Sequence, residues 1–296
     1  MTTSKSPVVV AYTAYEAGKK VLPNWRHEFS PKKFTQPQLF ACLVLKSFFN
    51  TDYRGIVAIL SEHIAIRKIL NLEHIPHYTT LQKASKNILK SGTVQKLMRS
   101  LMKTYLKETK EKRNIALFDS TGFDTEHASS YFKWRKNSGS KDKPPRWHKK
   151  YPKLSVSTLP RAMLITSGFI TTGPSTDMPY FERLLNHTLN SFKPKTVIAD
   201  AGYDKELNHV IAKEQNIKTI IPCRAYRGNR VPHAPFRRNM YEHFPKKRYG
   251  IRWHIETVMS MLKRNLGSKV FGKTFRSQSR ELMLKMLTHN TAIVPV

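Results

Sequence analysis

The chain has 296 residues, 40% of them hydrophobic, so it is long enough for one large or two ordinary domains and too apolar for wholesale disorder. Lys and Arg number 52 against 20 Asp and Glu, a formal charge of +32; self-repulsion on that scale points to a polyanionic partner, and nucleic acid fits best because neutralised phosphates release counterions. Cys42 and Cys223 form no CxxC pair, which excludes a disulfide framework or a Cys-based zinc site; with no leader-like start and no bilayer-length apolar run, a soluble, cytoplasmic, nucleoid-associated protein with no membrane partner is expected.

Residues 1–33 read as an arm, interrupted by Pro7, Pro23 and Pro31, with no sustained period. Thr35 and Gln38 form a capping-box pattern ahead of the apolar LFACLVLKSFF, which predicts a helix. A second helix is expected from Asp52 and a short third over Ala65–Leu70. Thr79 with Gln82 offers another capping box, opening a fourth helix with Lys83, Lys86 and Lys90 on one face. A fifth runs from about Thr93 to Lys107 on the stripe Val94, Leu97, Met98, Leu101 and Tyr105. Residues 1–112 carry 19 Lys and Arg against 7 Asp and Glu, which suits a helical DNA-binding region; a packing or dimerisation bundle with solvated lysines is the competing reading.

At Asn114 the pattern changes. NIALFD reads as a buried strand ending at Asp119, and STGF as a turn. Residues 131–153 interleave cations with rings, including Lys133, Trp134, Arg135 and Lys136, as a groove for nucleic acid would, or as a solvated loop with anchoring aromatics would. Two strands follow, Leu154–Leu159 and Ala162–Thr171, then a helix over Met178–Leu189. KTVIAD is a short strand ending at Asp200; a helix over Tyr203–Asn216 and the strand IKTIIP come next. Strands alternating with helices predict an α/β domain with a mixed or parallel sheet, here residues 113–296. Residues 223–248, with 8 Lys and Arg, one acid and three prolines, read as an exposed basic insertion. A helix over Tyr249–Lys263 and a last one near Gln278–Leu287 complete the chain.

In α/β sheets the active groups gather beyond strand ends. Asp119 and Asp200 both end apolar strands, and Glu256 lies on a helix that carries Tyr249, Arg252 and Lys263 within roughly 60° of it. Three such acids suit Mg²⁺ or Mn²⁺, which take carboxylate oxygens, and two such ions serve an in-line phosphodiester displacement. Each acid also has a local reading: Asp119 and Asp200 as turn formers, Glu256 as half of a helix ion pair.

Tyr249, Arg252, Glu256 and Lys263 match the Y-x2-R-x3-E-x6-K signature of the DDE transposases of prokaryotic insertion sequences, insertion-sequence-4 type, at every position. FDSTGF and IADAGYD resemble the segments holding that family's two aspartates, and GPSTDMPYFERLL resembles the stretch between them. The resemblance covers about residues 113–290 and implies an RNase H-like core with Asp119, Asp200 and Glu256 holding two Mg²⁺ or Mn²⁺ ions. It implies cleavage at transposon terminal inverted repeats, then attack of the freed 3′-hydroxyl on double-stranded target DNA, by a homodimer on DNA. Tyr249, Arg252 and Lys263 would hold the DNA backbone, and Trp134 and Trp253 are candidates to stack on a displaced base. A silent DNA-binding relative and a nuclease that cuts without joining are the alternatives.

Overall fold

The computed structural model describes residues 3–109, 113–125, 150–224 and 231–294. Six helices come first: α1 (Pro7–Val21), α2 (Gln36–Phe48), α3 (Tyr53–Glu62), α4 (Ile64–Ile69), α5 (Tyr78–Ile88) and α6 (Ser91–Thr109). The expected arm thus contains a 15-residue helix. Ser6 caps it, Pro7 takes the first turn where a missing N–H costs nothing, and Val10, Ala11, Ala14 and Ala17 are buried. These small side chains let α1 and α2 pack closely: a Cβ on Gly18 would stand 3.1 Å from the Pro37 backbone.

The capping box at Thr35 forms reciprocally with Gln38, and Asp52 caps α3 through the Arg54 and Gly55 amides. The expected box at Thr79 does not form. The helix starts one residue earlier, at Tyr78, and Thr79 Oγ1 pairs with His77 Nδ1 at 2.8 Å instead. On α6 the whole predicted stripe is buried.

The second half holds β1 (Ile115–Gly122), β2 (Asp124–Thr125), β3 (Tyr151–Leu159), β4 (Leu164–Gly173), α7 (Phe181–Leu189), β5 (Thr196–Ala199), α8 (Glu206–Glu214) and β6 (Lys218–Ile220). It continues through α9 (Pro235–Glu242), α10 (Lys246–Tyr249), α11 (Trp253–Leu266), β7 (Lys269–Val270) and α12 (Phe275–Ile293). The main sheet is mixed, in the order β4-β3-β1-β5-β6; β3 is antiparallel to β1 and β4, while β5 and β6 run parallel to β1 and to each other. A parallel β2–β7 pair forms a second, small sheet.

Helices cover both faces. On β4, Gly168 faces Met286 of α12 while its neighbour Phe169 meets His187 of α7, and successive strand residues point to opposite faces. The β4 edge is covered by α6, whose Gln95 amide donates to the Gly168 carbonyl at 3.0 Å. The helix α12 reaches α1, α2 and α6 as well as β3 and β4, so one hydrophobic core runs from Val10 to Val294.

Three further readings are corrected or refined. The strand β1 does not stop at Asp119 but runs on to Gly122, because β3 pairs with it through the Gly122–Lys153 step. The segment read as a basic insertion carries two short helices, α9 and α10, with Pro235 in the first turn of α9. The predicted helix over 249–263 is three pieces: α10 ends at Tyr249, Gly250–Arg252 is a 3₁₀ turn, and α11 begins at Trp253. Among the described residues no helix is long and apolar enough to cross a membrane.

Candidate active site

The strand pair β1–β5 brings two acids to one rim. Phe118 pairs with Ala199 in parallel register, and Asp119 and Asp200 each follow that last paired step of the two adjacent strands. Beyond β5 the chain turns at once into a 3₁₀ turn, which Asp200 caps by accepting from the Gly202 N–H at 2.9 Å. Asp119 Oδ1 accepts from the Ser120 N–H at 2.8 Å.

Arg252 ties the third acid to this rim. Its guanidinium donates to Asp119 Oδ2 at 3.2 Å and to Glu256 Oε1 at 2.5 Å. The Arg252 and Asp119 side chains are largely buried, whereas 59% of the Glu256 side chain is exposed. Burial pushes the Asp119 carboxyl up to about 6, and Asp200 and Asp177 add to the rise; Arg252 and the Ser120 amide oppose it. Tyr249 shares this environment, its phenol raised first by burial, then by Asp200, Glu256 and Asp119 against Arg252.

Tyr249, Arg252, Asp119, Asp200 and Glu256 therefore converge electrostatically. Lys263 does not join them: it stands two turns along α11, its Nζ 5.5 Å from the centre of the Phe123 ring. Trp253 is 53% exposed and stacks on His254 with centroids 3.8 Å apart. Lys133, Trp134, Arg135 and Lys136 lie outside the described residues. Among the described residues, no three His, Cys, Asp or Glu side chains are grouped as a set that could hold a metal ion. The guanidinium of Arg252 stands between Asp119 and Glu256 and supplies the positive charge there.

Sequence reasoning assigned no role to Asp177, Lys153 or Ser120. Asp177 Oδ1 accepts from Ser120 Oγ at 2.7 Å and from Lys153 Nζ at 2.8 Å, and Lys153 also donates to the Ser175 carbonyl. A Cβ on Gly202 would lie 2.7 Å from Asp200 Oδ1 and 3.4 Å from Asp177 Oδ2, so both carboxylates border the same small space and the approach of Asp200 leaves room there for glycine. The buried Tyr203 hydroxyl faces the same acids; burial first, then Asp177, Asp119 and Asp200, hold it protonated, with Ser155 acting the other way. Asp177 lies in the quoted GPSTDMPYFERLL segment, but its place at the rim depends on the β3–β4 hairpin and has no local signal.

The family profile described as "Transposase DDE domain" matches residues 110–291, more than half of the chain. Among solved structures, the piggyBac transposase synaptic complex with hairpin DNA is similar at 9% identity and TM-score 0.47, over 98% of this chain and 72% of that one. The Mos1 strand transfer complex aligns at 10% identity and TM-score 0.30, over 94% and 82% of the two chains. The Mos1 paired-end complex with the left transposon end aligns at 10% identity and TM-score 0.25, over 87% and 86%. A search of curated proteins by sequence gives no match.

Proposed function

We propose, from the premise that the chain belongs to the transposase DDE domain family, that it cuts DNA at the ends of an insertion sequence and joins those ends to target DNA. The observation that carries this reading is that Asp119 on β1 and Asp200 just past β5 follow the last paired step of these adjacent strands, with Arg252 linking Asp119 to Glu256. Within the family, the spacing of Tyr249, Arg252, Glu256 and Lys263 supports the insertion-sequence-4 type, and the sheet order supports an RNase H-like core. Residues 1–112 are read as the helical DNA-binding region and 113–296 as the catalytic domain, with the basic segment 223–248 inserted.

Asp119, Asp200 and Glu256 would hold two Mg²⁺ or Mn²⁺ ions. The donor set fits in kind, since all are hard carboxylate oxygens; burial pushes the Asp119 carboxyl up to about 6 even with Arg252 beside it, and a bound cation would favour its ionised form. Bound ions of this kind activate an attacking hydroxyl and stabilise the leaving oxygen. Arg252, now shared between two acids, is placed to grip a DNA phosphate beside them, since a guanidinium binds phosphate in a two-pronged geometry. Tyr249 offers a protonated phenol at the same rim, and Lys263 extends the basic track along α11. Lys133, Trp134, Arg135 and Lys136 extend the contact to DNA, and a homodimer on DNA brings two ends together.

The test uses purified protein, a labelled duplex carrying the terminal inverted repeat, a target plasmid and Mg²⁺. Cutting followed by joining is expected. Asp119→Ala, Asp200→Ala and Glu256→Ala should each abolish cutting and weaken Mn²⁺ binding measured by calorimetry, while end binding by gel shift persists. Loss of end binding in all three variants would count against the metal assignment. Cutting without joining would make the chain a nuclease, and shifting without cutting a silent DNA binder.

A further inference from the structure

A cavity of about 490 Å³ opens where the N-terminal helices meet the C-terminal end of α11 and the start of α12. Its lining is mixed. Leu89, Leu266 and Leu284 are apolar, while Lys46, Lys86, Lys273, Arg280 and Lys285 bring cations against two acids, Asp52 and Glu281. The acids are already engaged by the backbone: Asp52 accepts from Arg54 and Gly55, and Glu281 Oε2 accepts from the Phe271 and Gly272 amides at 3.0 and 3.2 Å. Lys285 is engaged too, donating to the Leu266, Gly267 and Lys269 carbonyls.

Lys46, Lys86, Lys273 and Arg280 form no ion pair among the described residues. The half-buried Lys46 ammonium lines the cavity 4.9 Å from the centre of the Tyr53 ring; burial lowers its pKa, and Glu281 and Asp52 oppose that without forming an ion pair with it. At the mouth stands Phe271, 59% exposed, on a backbone fixed by Glu281. A recess with leucine in its walls, cations outside any ion pair and an exposed ring matches the chemistry of a nucleotide: an aromatic base joined to a phosphate.

We propose that this cavity receives one unpaired nucleotide, its base against Phe271 and its phosphate held by Lys46 and Arg280. The inference rests on the reading of the chain as a DNA-acting enzyme and adds a second contact to it. A paired base keeps both faces in the stack, so the ligand is a nucleotide of a single-stranded stretch, or a free nucleotide of the same chemistry. From Glu256 to Leu266, one wall of the cavity, is ten helical residues, about 15 Å along α11.

Fluorescence anisotropy with the full chain and fluorescein-labelled ten-nucleotide single strands tests this, using one ordinary strand and one abasic throughout. The ordinary strand is expected to bind tighter. Phe271→Ala should weaken it roughly tenfold and leave the abasic strand nearly unchanged. Lys46→Met and Arg280→Gln should weaken both strands, with thermal unfolding confirming that each variant folds. A deoxynucleoside monophosphate that competes in a Phe271-dependent way supports the cavity with free nucleotide as its source; failure to compete while the strand binds supports a strand. Equal binding of ordinary and abasic strands, together with an unchanged Phe271→Ala variant, overturns the proposal. This assay contains neither Mg²⁺ nor a terminal-repeat duplex, so failure of the cutting assay and failure of this one are separately visible.

Discussion

Single side chains set the acid limit of this fold. His289 on α12 is buried, with Nε2 2.9 Å from the Met163 carbonyl, and burial pushes its pKa down to about 4. The neutral ring is therefore the form the fold accommodates. An unfolded histidine titrates near 6.5, so this group's contribution is fully present above that pH and is lost as pH falls toward 4. The span corresponds to about 3 kcal/mol, and burial moves His187 and His209 in the same direction. Melting temperature should fall across this window, and His289→Gln, which retains a donor for Met163, should flatten the profile; an unchanged slope removes His289 as the cause. At the rim of the acids, Arg252 reaches Asp119 across 133 positions of sequence. Its pairing with Glu256 was legible from the spacing of four; its pairing with Asp119 was not, because only the sheet brings α11 over β1.

Among the elements, α12 depends on one polar side chain. Asn290 is fully buried and exchanges two hydrogen bonds with Ile165 of β4, accepting from its N–H at 3.0 Å and donating to its carbonyl at 2.7 Å. Ile165 sits beside the register shift between Ser157 and Thr158. Asn290→Ala leaves both backbone groups buried and unpaired, which costs about 2–4 kcal/mol; urea denaturation should show the midpoint falling with an unchanged slope. Asn290→Leu fills the space without restoring the bonds and should recover little. Runs such as KTVIAD were readable as strands because β-branched residues fill them, and the α6 stripe because its apolar spacing is regular. By contrast α1 escaped notice, since its buried face is mostly alanine and prolines flank it. The Thr79 cap failed because the preceding Pro76-His77 pair already turns the chain into the helix. The signature helix is broken by the 3₁₀ turn at Gly250–Arg252, after which Glu256 falls in the first turn of α11 while Arg252 reaches Asp119 of β1.

On the scale of the whole molecule, charge governs association. With a formal +32, DNA binding should weaken steeply with salt. A protein making six to ten phosphate contacts loses roughly 10³–10⁵ in affinity between 50 and 200 mM, and a gel-shift series in NaCl should reach that range; a flat response would mean the cations are not on phosphates. The acids, the α11 track and the cavity lined by α2, α5 and α12 together draw on both halves of the chain. The span of α12 from β4 to α1 and α2 also has a temporal side. During synthesis the first helices leave the ribosome with a hydrophobic face on which residues 275–293 pack last. At about 5–20 residues per second they wait on the order of ten to forty seconds for that cover, so an unfinished chain has no completed fold with which to grip DNA.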